Sequence, residues 1–301
     1  MGNKIALVVL NYNNATETSN FVRSISAFKE IEAIQIVDNA STDCSYDELS
    51  FTACQLKSRG VYLAESPTNN GYGSGNNFAV SQLKLNLVPD YLVIANPDIR
   101  LSESAVSAMA HFLDEHDGYA SVAPVMVNAN GEVCQSAWKL PTIKDMWINA
   151  ARLMIGVIRD PLDYGGFESF ASYETVEVLP GSLFMIRLSD FDGVGGFDED
   201  TFLYGEENLL FSRLRQAGRK SALLLSESYI HAHGSSINKE IASVRRRYLM
   251  LLDSNLIYCK KVLRMSKLVT ICYRFFFLIC LWVFLGVYSI SSILKRKRGE
   301  N

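Results

Sequence analysis

The stretch IALVVLNYNN (residues 5–14) has the composition of a buried β-strand that ends in a turn. Its first six residues are aliphatic, and asparagine, which favours turns, occupies three of the next four positions. Three further runs have the same character: AIQIVDN (residues 33–39), VYLAE (residues 61–65) and YLVIANPD (residues 91–98). The N-terminal third of the chain therefore predicts four short, buried strands.

Segments with helical spacing of apolar residues lie between these strands, from Ala15 to Lys29 and from Phe78 to Lys84. This alternation predicts β-α-β units, and hence an α/β fold with a mainly parallel central sheet and flanking helices. Ligands bind such sheets at the carboxyl ends of the strands. Three polar motifs follow the predicted strands: Asn11-Tyr12-Asn13, Asp38-Asn39 and Asn96-Pro97-Asp98. We expect the functional site at that edge.

The pattern changes after the fourth strand. An amphipathic helix is predicted from Glu103 to Leu113, and a strand over residues 120–127 is followed by a turn at 128–131 that fits a hairpin. The stretch from Trp138 to Tyr173 lacks sustained periodicity, and we interpret it as a mobile loop or an insertion that faces an acceptor.

Composition excludes several classes of protein. With 29 Lys and Arg against 32 Asp and Glu, the chain has a net charge of -3 and no global basic field for nucleic acid. The six cysteines show no C-x-x-C spacing, which argues against a zinc site or a disulfide framework and fits a reducing cytosol. The start of the chain has no signal-peptide pattern, so we expect the N-terminal bulk in the cytoplasm.

Eight motifs, in order and at their spacing, resemble those of family 2 inverting glycosyltransferases of the GT-A fold. They are LNYNN (10–14), IVDNASTD (36–43), NNGYGSGNN (69–77), IANPD (94–98), GSLFMIR (181–187), GGFDEDTFLYGEEN (195–208), RLRQAG (213–218) and HAHGSS (231–236). The N-P-D form is similar to the branch that contains rhamnosyltransferases of surface-polysaccharide assembly. The resemblance covers about residues 4–240 and implies a GT-A-type, nucleotide-sugar-binding catalytic domain over residues 1–240.

The resemblance implies transfer of a sugar, with L-rhamnose from dTDP-rhamnose as the leading expectation, onto a lipid-linked saccharide in cell-surface polysaccharide synthesis. For the donor, Asp38 and Asn39 suit recognition of base and ribose, because the carboxylate accepts hydrogen bonds from a ribose hydroxyl or a base N–H. Tyr12 and Asn13, with Asn11 before them, would face the base. An ordinary loop between a strand and a helix, without a role in binding, is nearly as good an interpretation of Tyr12 and Asn13.

The glycine-rich segment is expected to contribute to the same donor site. Its spacing, G-x-G-x-G, and its place after the third strand argue against a nicotinamide fold. We interpret Gly71 and Gly75 as part of a loop that leads into a helix, whose backbone N–H groups approach the donor sugar or its phosphates together with Asn76 and Asn77.

A nucleotide-sugar diphosphate requires a divalent cation, here Mg²⁺ or Mn²⁺, with hard oxygen ligands. Asp98 is the natural metal carboxylate. Asn96 stands where many relatives carry the first acid of D-x-D, and it acts on the donor through its amide or a bound water. His231 matches the late family histidine implied in metal or pyrophosphate binding, with His233 as the alternative.

Glu206 and Glu207 match the acidic pair that supplies the general base in the family. An inverting transfer needs one carboxylate beside the acceptor hydroxyl, and which of the two takes the proton stays open at this point. Relatives carry another acid where this chain has Leu209. Asp198 and Glu199 are expected to contact the acceptor. Arg213 also matches the family pattern, and bracing of the acidic pair is its expected role.

The C-terminal region, residues 241–301, is basic, amphipathic and hydrophobic. Residues 275–294 form an uncharged run of 20, which as a helix spans roughly 30 Å, the thickness of a bilayer core. Five basic residues precede this run and four follow it, so charge gives almost no preferred orientation. The run spans the membrane, re-enters it or lies along the interface, and a buried core helix is the remaining alternative. We expect attachment to the cytoplasmic membrane, with the catalytic domain on the cytosolic face.

Two other functions are compatible with the same sequence. One is a membrane-docked protein that binds a nucleotide sugar with little or no turnover, which Asn96 and Leu209 favour. The other is a membrane anchor or interaction subunit that uses the sheet only as a scaffold and binds no nucleotide.

Overall fold

The computed structural model describes residues 3–155, 162–164, 171–231 and 244–298, in which strands and helices alternate. The strands in this part are β1 (Ile5–Asn11), β2 (Ile31–Asp38), β3 (Val61–Glu65), β4 (Tyr91–Ala95), β5 (Ile99–Arg100), β6 (Tyr119–Val127), β7 (Tyr173–Val176), β8 (Leu183–Arg187) and β9 (Lys220–His231). The helices in the same ranges are α1 (Ala15–Ile25), α2 (Ser45–Leu56), α3 (Tyr72–Lys84), α4 (Glu103–Glu115), α5 (Ile143–Ile155), α6 (Leu188–Gly193), α7 (Glu206–Gln216), α8 (Val244–Lys261) and α9 (Lys267–Arg298).

One sheet runs through the described residues, in the order β3-β2-β1-β4-β8-β6-β9-β5, with β7 paired to β9. The strands β3, β2, β1 and β4 are parallel, as predicted. Asn11 lies beside Asp38 in the register of β1 and β2, so the carboxyl ends of the two strands meet. The α/β fold is confirmed.

The second half of the sheet is mixed and corrects the expectation of a mainly parallel one. Strand β8 runs antiparallel to both of its neighbours, β4 and β6, while β6 and β9 are parallel. Both β5 and β7 pair with β9 in the antiparallel direction. A short buried run such as LFMIR does not indicate the direction of its strand. A strand that is buried on both faces is apolar throughout, whether it runs parallel or antiparallel to its neighbours.

Helix α3 begins at Tyr72, six residues before the predicted start at Phe78. Its glycines fit the helix because they pack closely there: a Cβ on Gly73 would lie 3.1 Å from Phe197, and one on Gly75 would lie 2.7 Å from Leu10. The predicted hairpin turn is confirmed, with the N–H of Asn128 donating to the carbonyl of Glu132 at 2.9 Å.

The stretch from Trp138 to Tyr173, interpreted above as a loop or insertion, contains α5, and its remaining residues lie partly outside the described ranges. Met146 and Ala150, one helical turn apart, are both buried. Their partners are on α8 and α9, far away in sequence, so the apolar face of α5 becomes evident only in the folded chain.

Two buried clusters cover the two faces of the sheet, and a third, which we call the C-terminal cluster, joins α5, α7, α8 and α9. The buried members of the C-terminal cluster are Met146, Ala150, Leu209, Leu252, Tyr258, Cys259, Tyr273, Phe277 and Leu281. Within the described residues one helical segment, Lys267–Gly286 of α9, is long and apolar enough to cross a membrane. The division of the chain at residue 240 stays a prediction.

Candidate functional site

Asp38, at the carboxyl end of β2, is buried and held by short hydrogen bonds. Its Oδ1 accepts from Asn11 Nδ2 at 2.7 Å and from Ser41 Oγ at 2.6 Å, and its Oδ2 accepts from the N–H of Ser41 at 3.0 Å. Asn11 is itself fully buried, and its Oδ1 accepts from Thr18. The side chain of Asn11 therefore positions Asp38, and a contact of Asn11 with the donor stays a prediction.

The loop after β1 is tied to the loop after β2. Asn13 has a left-handed backbone (φ 50°), its N–H donates to Ser41 Oγ at 2.9 Å, and its side chain forms hydrogen bonds with Thr42. Tyr12 lies half-buried beside it. Ser41, which bridges Asp38 and Asn13, was not singled out from the sequence, although it lies within the motif IVDNASTD.

The glycine-rich segment has a packing role besides the predicted one. Gly71 has φ 97°, and a Cβ there would lie 2.1 Å from the carbonyl oxygen of Phe202. A Cβ on Gly75 would collide with Leu10 and approach Asn39. Both glycines therefore allow close packing of α3, and a contact of their backbone with the donor stays a prediction.

Asn39 follows β2, and Asn77 lies within α3. The buried Asn39 donates to Asn69 at 3.1 Å, and its Oδ1 has no hydrogen-bond partner among the described residues. Asn77 forms hydrogen bonds with both backbone groups of Phe197, and its Nδ2 also donates to Glu199 at 2.8 Å. Asn77 thus anchors the segment that precedes α7, and its contact with the donor stays a prediction.

Asp98 and His231 are brought together by the pairing of β5 with β9. Ile99, the residue after Asp98, is the register partner of His231. His231 Nε2 lies 3.2 Å from Asp98 Oδ1, and both side chains are largely buried. Asp98 Oδ1 makes no hydrogen bond of acceptable geometry within the described part of the chain. A buried, unsatisfied carboxylate oxygen beside an imidazole nitrogen fits a shared divalent cation. His233 lies outside the described residues.

Asn96 is placed by its backbone, two residues before Asp98. Its N–H donates to the carbonyl of Ser182 at 2.9 Å, and its half-buried side chain stays a candidate donor contact. Ser182 in turn forms a 2.7 Å hydrogen bond with the buried hydroxyl of Tyr229. The start of β8 thus fixes the N-P-D turn.

The acidic pair stands at the N-terminus of α7, after Gly205 in the left-handed region (φ 79°). Glu207 Oε1 accepts from the N–H of Gly181 at 3.2 Å, whereas Glu206 Oε2 is buried without a hydrogen-bond partner in the described residues. Burial raises the pKa of Glu207, while its own N–H and that of Gly181 partly oppose the rise. The pKa of Glu206 lies well above its ordinary value, because Glu206 is buried and faces the charge of Glu207.

Tyr72, which the sequence did not single out, contacts the same glycine as Glu207. Its hydroxyl donates to the carbonyl of Gly181 at 2.6 Å. Burial and the negative charges of Glu207, Glu206 and, more weakly, Asp98 raise its pKa well above the ordinary value. The three carboxyl groups and Tyr72 therefore form one electrostatically linked site at the carboxyl edge of the sheet.

Gly181 is the contact that fixes Glu207, and its replacement gives a testable prediction. In Gly181→Ala, the new Cβ would lie 2.7 Å from Glu207 Oε1, so the carboxylate must move. We expect any reaction that depends on Glu207 to slow by about 10-fold to 10²-fold, with ligand binding little changed, because small misplacements of reacting groups are costly. Steady-state kinetics would measure this. Gly193→Ala, where a Cβ meets nothing within 4 Å, is the control, and a normal rate in Gly181→Ala would contradict the prediction.

The predicted acceptor residues are both engaged in contacts within the protein. Asp198 accepts from Lys261 Nζ of α8 at 2.8 Å, and Glu199 accepts from Asn77. Asp200 also pairs with Lys261 at 2.7 Å, and this contact lowers the pKa of Asp200. Asp198 and Glu199 therefore have a structural role in the segment before α7, and acceptor binding by these two residues stays a prediction.

Arg213 does not brace the acidic pair as predicted. Its guanidinium donates to the carbonyls of Val194 at 2.8 Å and Gly196 at 2.6 Å, and so holds the turn that begins the GGFDED segment. Leu209, at the position where relatives were expected to carry an acid, is buried in the C-terminal cluster.

The chain resembles known enzymes both in sequence and in structure, although no protein-family model matches it. N-acetylglucosaminyl-diphospho-decaprenol L-rhamnosyltransferase of Mycobacterium tuberculosis is 27% identical over 255 residues, covering 81% of this chain and 80% of its own length. Rhamnosyltransferase WbbL of Escherichia coli is 24% identical and covers 71% of this chain and 78% of its own length. Low-salt glycan biosynthesis hexosyltransferase Agl10 of Haloferax volcanii is 22% identical over 67% of this chain and 59% of its own length.

Solved structures agree on the fold. Mannosyltransferase PcManGT of Pyrobaculum calidifontis, solved with GDP-Man and Mn²⁺, superposes with a TM-score of 0.59 at 13% identity, over 97% of this chain and 76% of its own. Staphylococcus aureus TarS superposes with a TM-score of 0.53 at 14% identity, over 86% of this chain and 72% of the solved one. This chain accordingly has the fold of the GT-A glycosyltransferases, and its relatives in sequence are rhamnosyltransferases and hexosyltransferases.

Proposed function

We propose that this protein is a metal-dependent, inverting hexosyltransferase of family 2, with L-rhamnose from dTDP-rhamnose as its leading donor. The observation that carries the proposal is the placement of Glu207. Its carboxylate is fixed by Gly181 on the same edge of the sheet as Asp98 and His231. The names of the sequence relatives favour rhamnose as the sugar.

In this proposal, Asp38 binds the nucleoside part of the donor, and the Asp98–His231 pair binds its diphosphate through the cation. Asp38, rigid and at the end of β2, accepts hydrogen bonds from the ribose or the base, with Tyr12 and Asn13 on the neighbouring loop. Asp98 and His231 would hold Mg²⁺ or Mn²⁺, and the cation would neutralise the diphosphate as it leaves. No third acidic, histidine or cysteine side chain completes a metal cluster in the described residues, which leaves room for phosphate oxygens among the ligands.

Glu207 acts as the general base and Glu206 as its protonated neighbour. An acceptor hydroxyl oxygen forms a bond to the anomeric carbon as the bond from that carbon to the diphosphate oxygen breaks, and the hydroxyl proton passes to the Glu207 carboxylate. Attack opposite the leaving group inverts the anomeric configuration. Glu206 is the more deeply buried of the two, and its Oε2 has no hydrogen-bond partner in the described residues, whereas Glu207 accepts from the N–H of Gly181. We therefore assign the proton of the pair to Glu206.

The proposed acceptor is a lipid-linked saccharide at the cytosolic face of the cytoplasmic membrane. The support comes from the name of the mycobacterial relative, which includes diphospho-decaprenol, and from the apolar segment of α9. Confinement of enzyme and acceptor to one surface raises their effective concentration.

A panel of nucleotide sugars, assayed with Mg²⁺ or Mn²⁺ and a lipid-linked saccharide in detergent, tests the proposal. We expect turnover with one hexose donor and release of its nucleoside diphosphate. Binding of a nucleotide sugar without turnover would favour the membrane-docked binding protein instead. If no nucleotide binds at all, the sheet is only a scaffold.

A further inference from the structure

The C-terminal helix α9 has two apolar faces, and only one of them is covered by the protein. Tyr273, Phe277 and Leu281 are between 0% and 3% exposed and pack in the C-terminal cluster, and Cys280 is also fully buried. The opposite face carries a row of exposed apolar side chains, which we call the outer stripe. Its members and their exposed fractions are Leu268 (71%), Ile271 (42%), Phe275 (63%), Ile279 (60%) and Trp282 (68%).

The outer stripe is continuous along the helix. Its residues are separated by three or four positions, which places them on one face over four turns. Lys267 and Arg274 are exposed along one flank of this face. At its far end, the guanidinium of Arg245 from α8 lies 6.0 Å from the centre of the Trp282 ring. Such a combination of an apolar row, a tryptophan and basic flanks is typical of helices that bind membrane surfaces.

The charge of the region favours an anionic lipid surface over a protein partner. Residues 241–301 contain twelve of the 29 Lys and Arg residues, but only two of the 32 acidic residues. The rest of the chain is therefore strongly acidic and is repelled by the surface that attracts this region. This asymmetry orients the molecule with α8 and α9 toward the lipid.

The covered face excludes a membrane-spanning arrangement of α9. Trp147 of α5 packs on Tyr273 and Phe276, with ring centroids 5.7 Å and 5.0 Å apart, and Tyr248 of α8 packs on Phe284 at 5.2 Å. If α9 crossed the bilayer, α5 and α8 would enter with it and carry their charged residues into the lipid core. The rest of the uncharged run, residues 287–294, makes about 12 Å of helix, which by itself is too short to cross a core of roughly 30 Å.

We infer that α9 lies along the membrane surface, with the outer stripe immersed in an anionic leaflet and its opposite face kept against the protein. This inference rests on the proposed function, because it gives the geometry of the membrane association proposed there. It makes the protein monotopic, so that its C-terminal basic residues stay on the same side of the bilayer as the catalytic domain.

Quenching of Trp282 fluorescence by brominated lipids tests the depth of α9. The full-length protein is mixed with vesicles of equal parts phosphatidylglycerol and phosphatidylcholine, brominated either near the headgroup end or near the methyl end of the acyl chain. A Trp282→Phe variant supplies the background from the other two tryptophans. Bromine near the headgroup should quench more strongly. A spanning helix would put Trp282 about 4 Å from the centre of the run 275–294, and hence of the bilayer, so stronger quenching by deep bromine overturns the inference.

Vesicle binding by matched variants tests the surface itself. Phe275→Glu with Ile279→Glu should lower the affinity for anionic vesicles by about tenfold or more, since two stripe residues lose their burial in lipid. The control is Phe51→Glu with Leu85→Glu, which changes residues of similar or greater exposure (63% and 77%) elsewhere on the protein. An equal loss in both double variants, or none in the stripe variant, overturns the inference.

Sugar transfer is measured separately, in detergent. Transfer in detergent combined with deep quenching would leave the proposed function intact and overturn the monotopic geometry. Shallow quenching with no transfer from any donor would support this geometry and remove the proposed function.

Discussion

Replacing Glu207 with Gln should lower sugar transfer by about 10²-fold or more, while the affinity for the nucleotide-sugar donor changes little. General-base catalysis contributes roughly 10² to 10⁴ to a rate, and the amide cannot accept the hydroxyl proton. The Gln side chain keeps the size of Glu and an oxygen that can accept from Gly181 N–H. The rate per bound donor isolates the chemical step.

The pH dependence of the same reaction gives a second readout. Because burial raises the pKa of Glu207, the base is ionised only above the ordinary range of a glutamate. The parent enzyme should therefore gain activity as pH rises through that raised pKa and lose it below. In Glu207→Gln this acidic limb should disappear. Glu206→Gln is the control, because it replaces a group expected to stay protonated; a larger loss there than in Glu207→Gln would reverse the two roles.

Replacing Asp98 with Ala should reduce transfer by about 10³-fold or more, and EDTA should do the same to the parent protein. Stabilisation of the leaving diphosphate by a cation contributes several kcal/mol, and Asp98 supplies the carboxylate of the proposed cation site. Calorimetric titration with a nucleoside diphosphate, with and without Mn²⁺, separates binding from chemistry. The variant should lose the gain in affinity that Mn²⁺ gives the parent.

Asp47→Ala, which removes an exposed carboxylate from α2, is the matched control for Asp98→Ala. It should retain both the transfer rate and the response to Mn²⁺. Full activity of the parent protein in EDTA would refute the metal assignment, even if Asp98→Ala were inactive for other reasons.

The positions of Asp38 and Asp98 were predictable because each follows a run of aliphatic residues that is unmistakably a buried strand. The proximity of Asp98 to His231 was not predictable from spacing. It depends on β5, a strand of two residues that pairs with the end of β9. The resemblance to glycosyltransferases supplied His231 as a candidate, and the register of the sheet brings the two side chains within 3.2 Å.

The contacts that the sequence did not reveal are those with partners distant along the chain. Gly71 was interpreted as a phosphate contact because a glycine-rich loop suggests open backbone, yet its neighbour is the carbonyl of Phe202. Asp198 and Glu199 are acids in a polar segment, which suggests a free binding surface, but Lys261 and Asn77 engage them. Composition shows the chemistry that a side chain offers, whereas tertiary contacts decide whether that chemistry is already used.

The contact of Leu209 with Leu252 and the other members of the C-terminal cluster has a practical consequence for preparing the enzyme. Leu209, on the helix that begins with the acidic pair, is buried against the region that we propose binds the membrane. A chain cut at residue 240 would expose Leu209 to water and remove Lys261 from Asp198, loosening the support of Glu207. A water-soluble form of the whole enzyme should therefore be sought by making the outer stripe polar and keeping every residue of the chain.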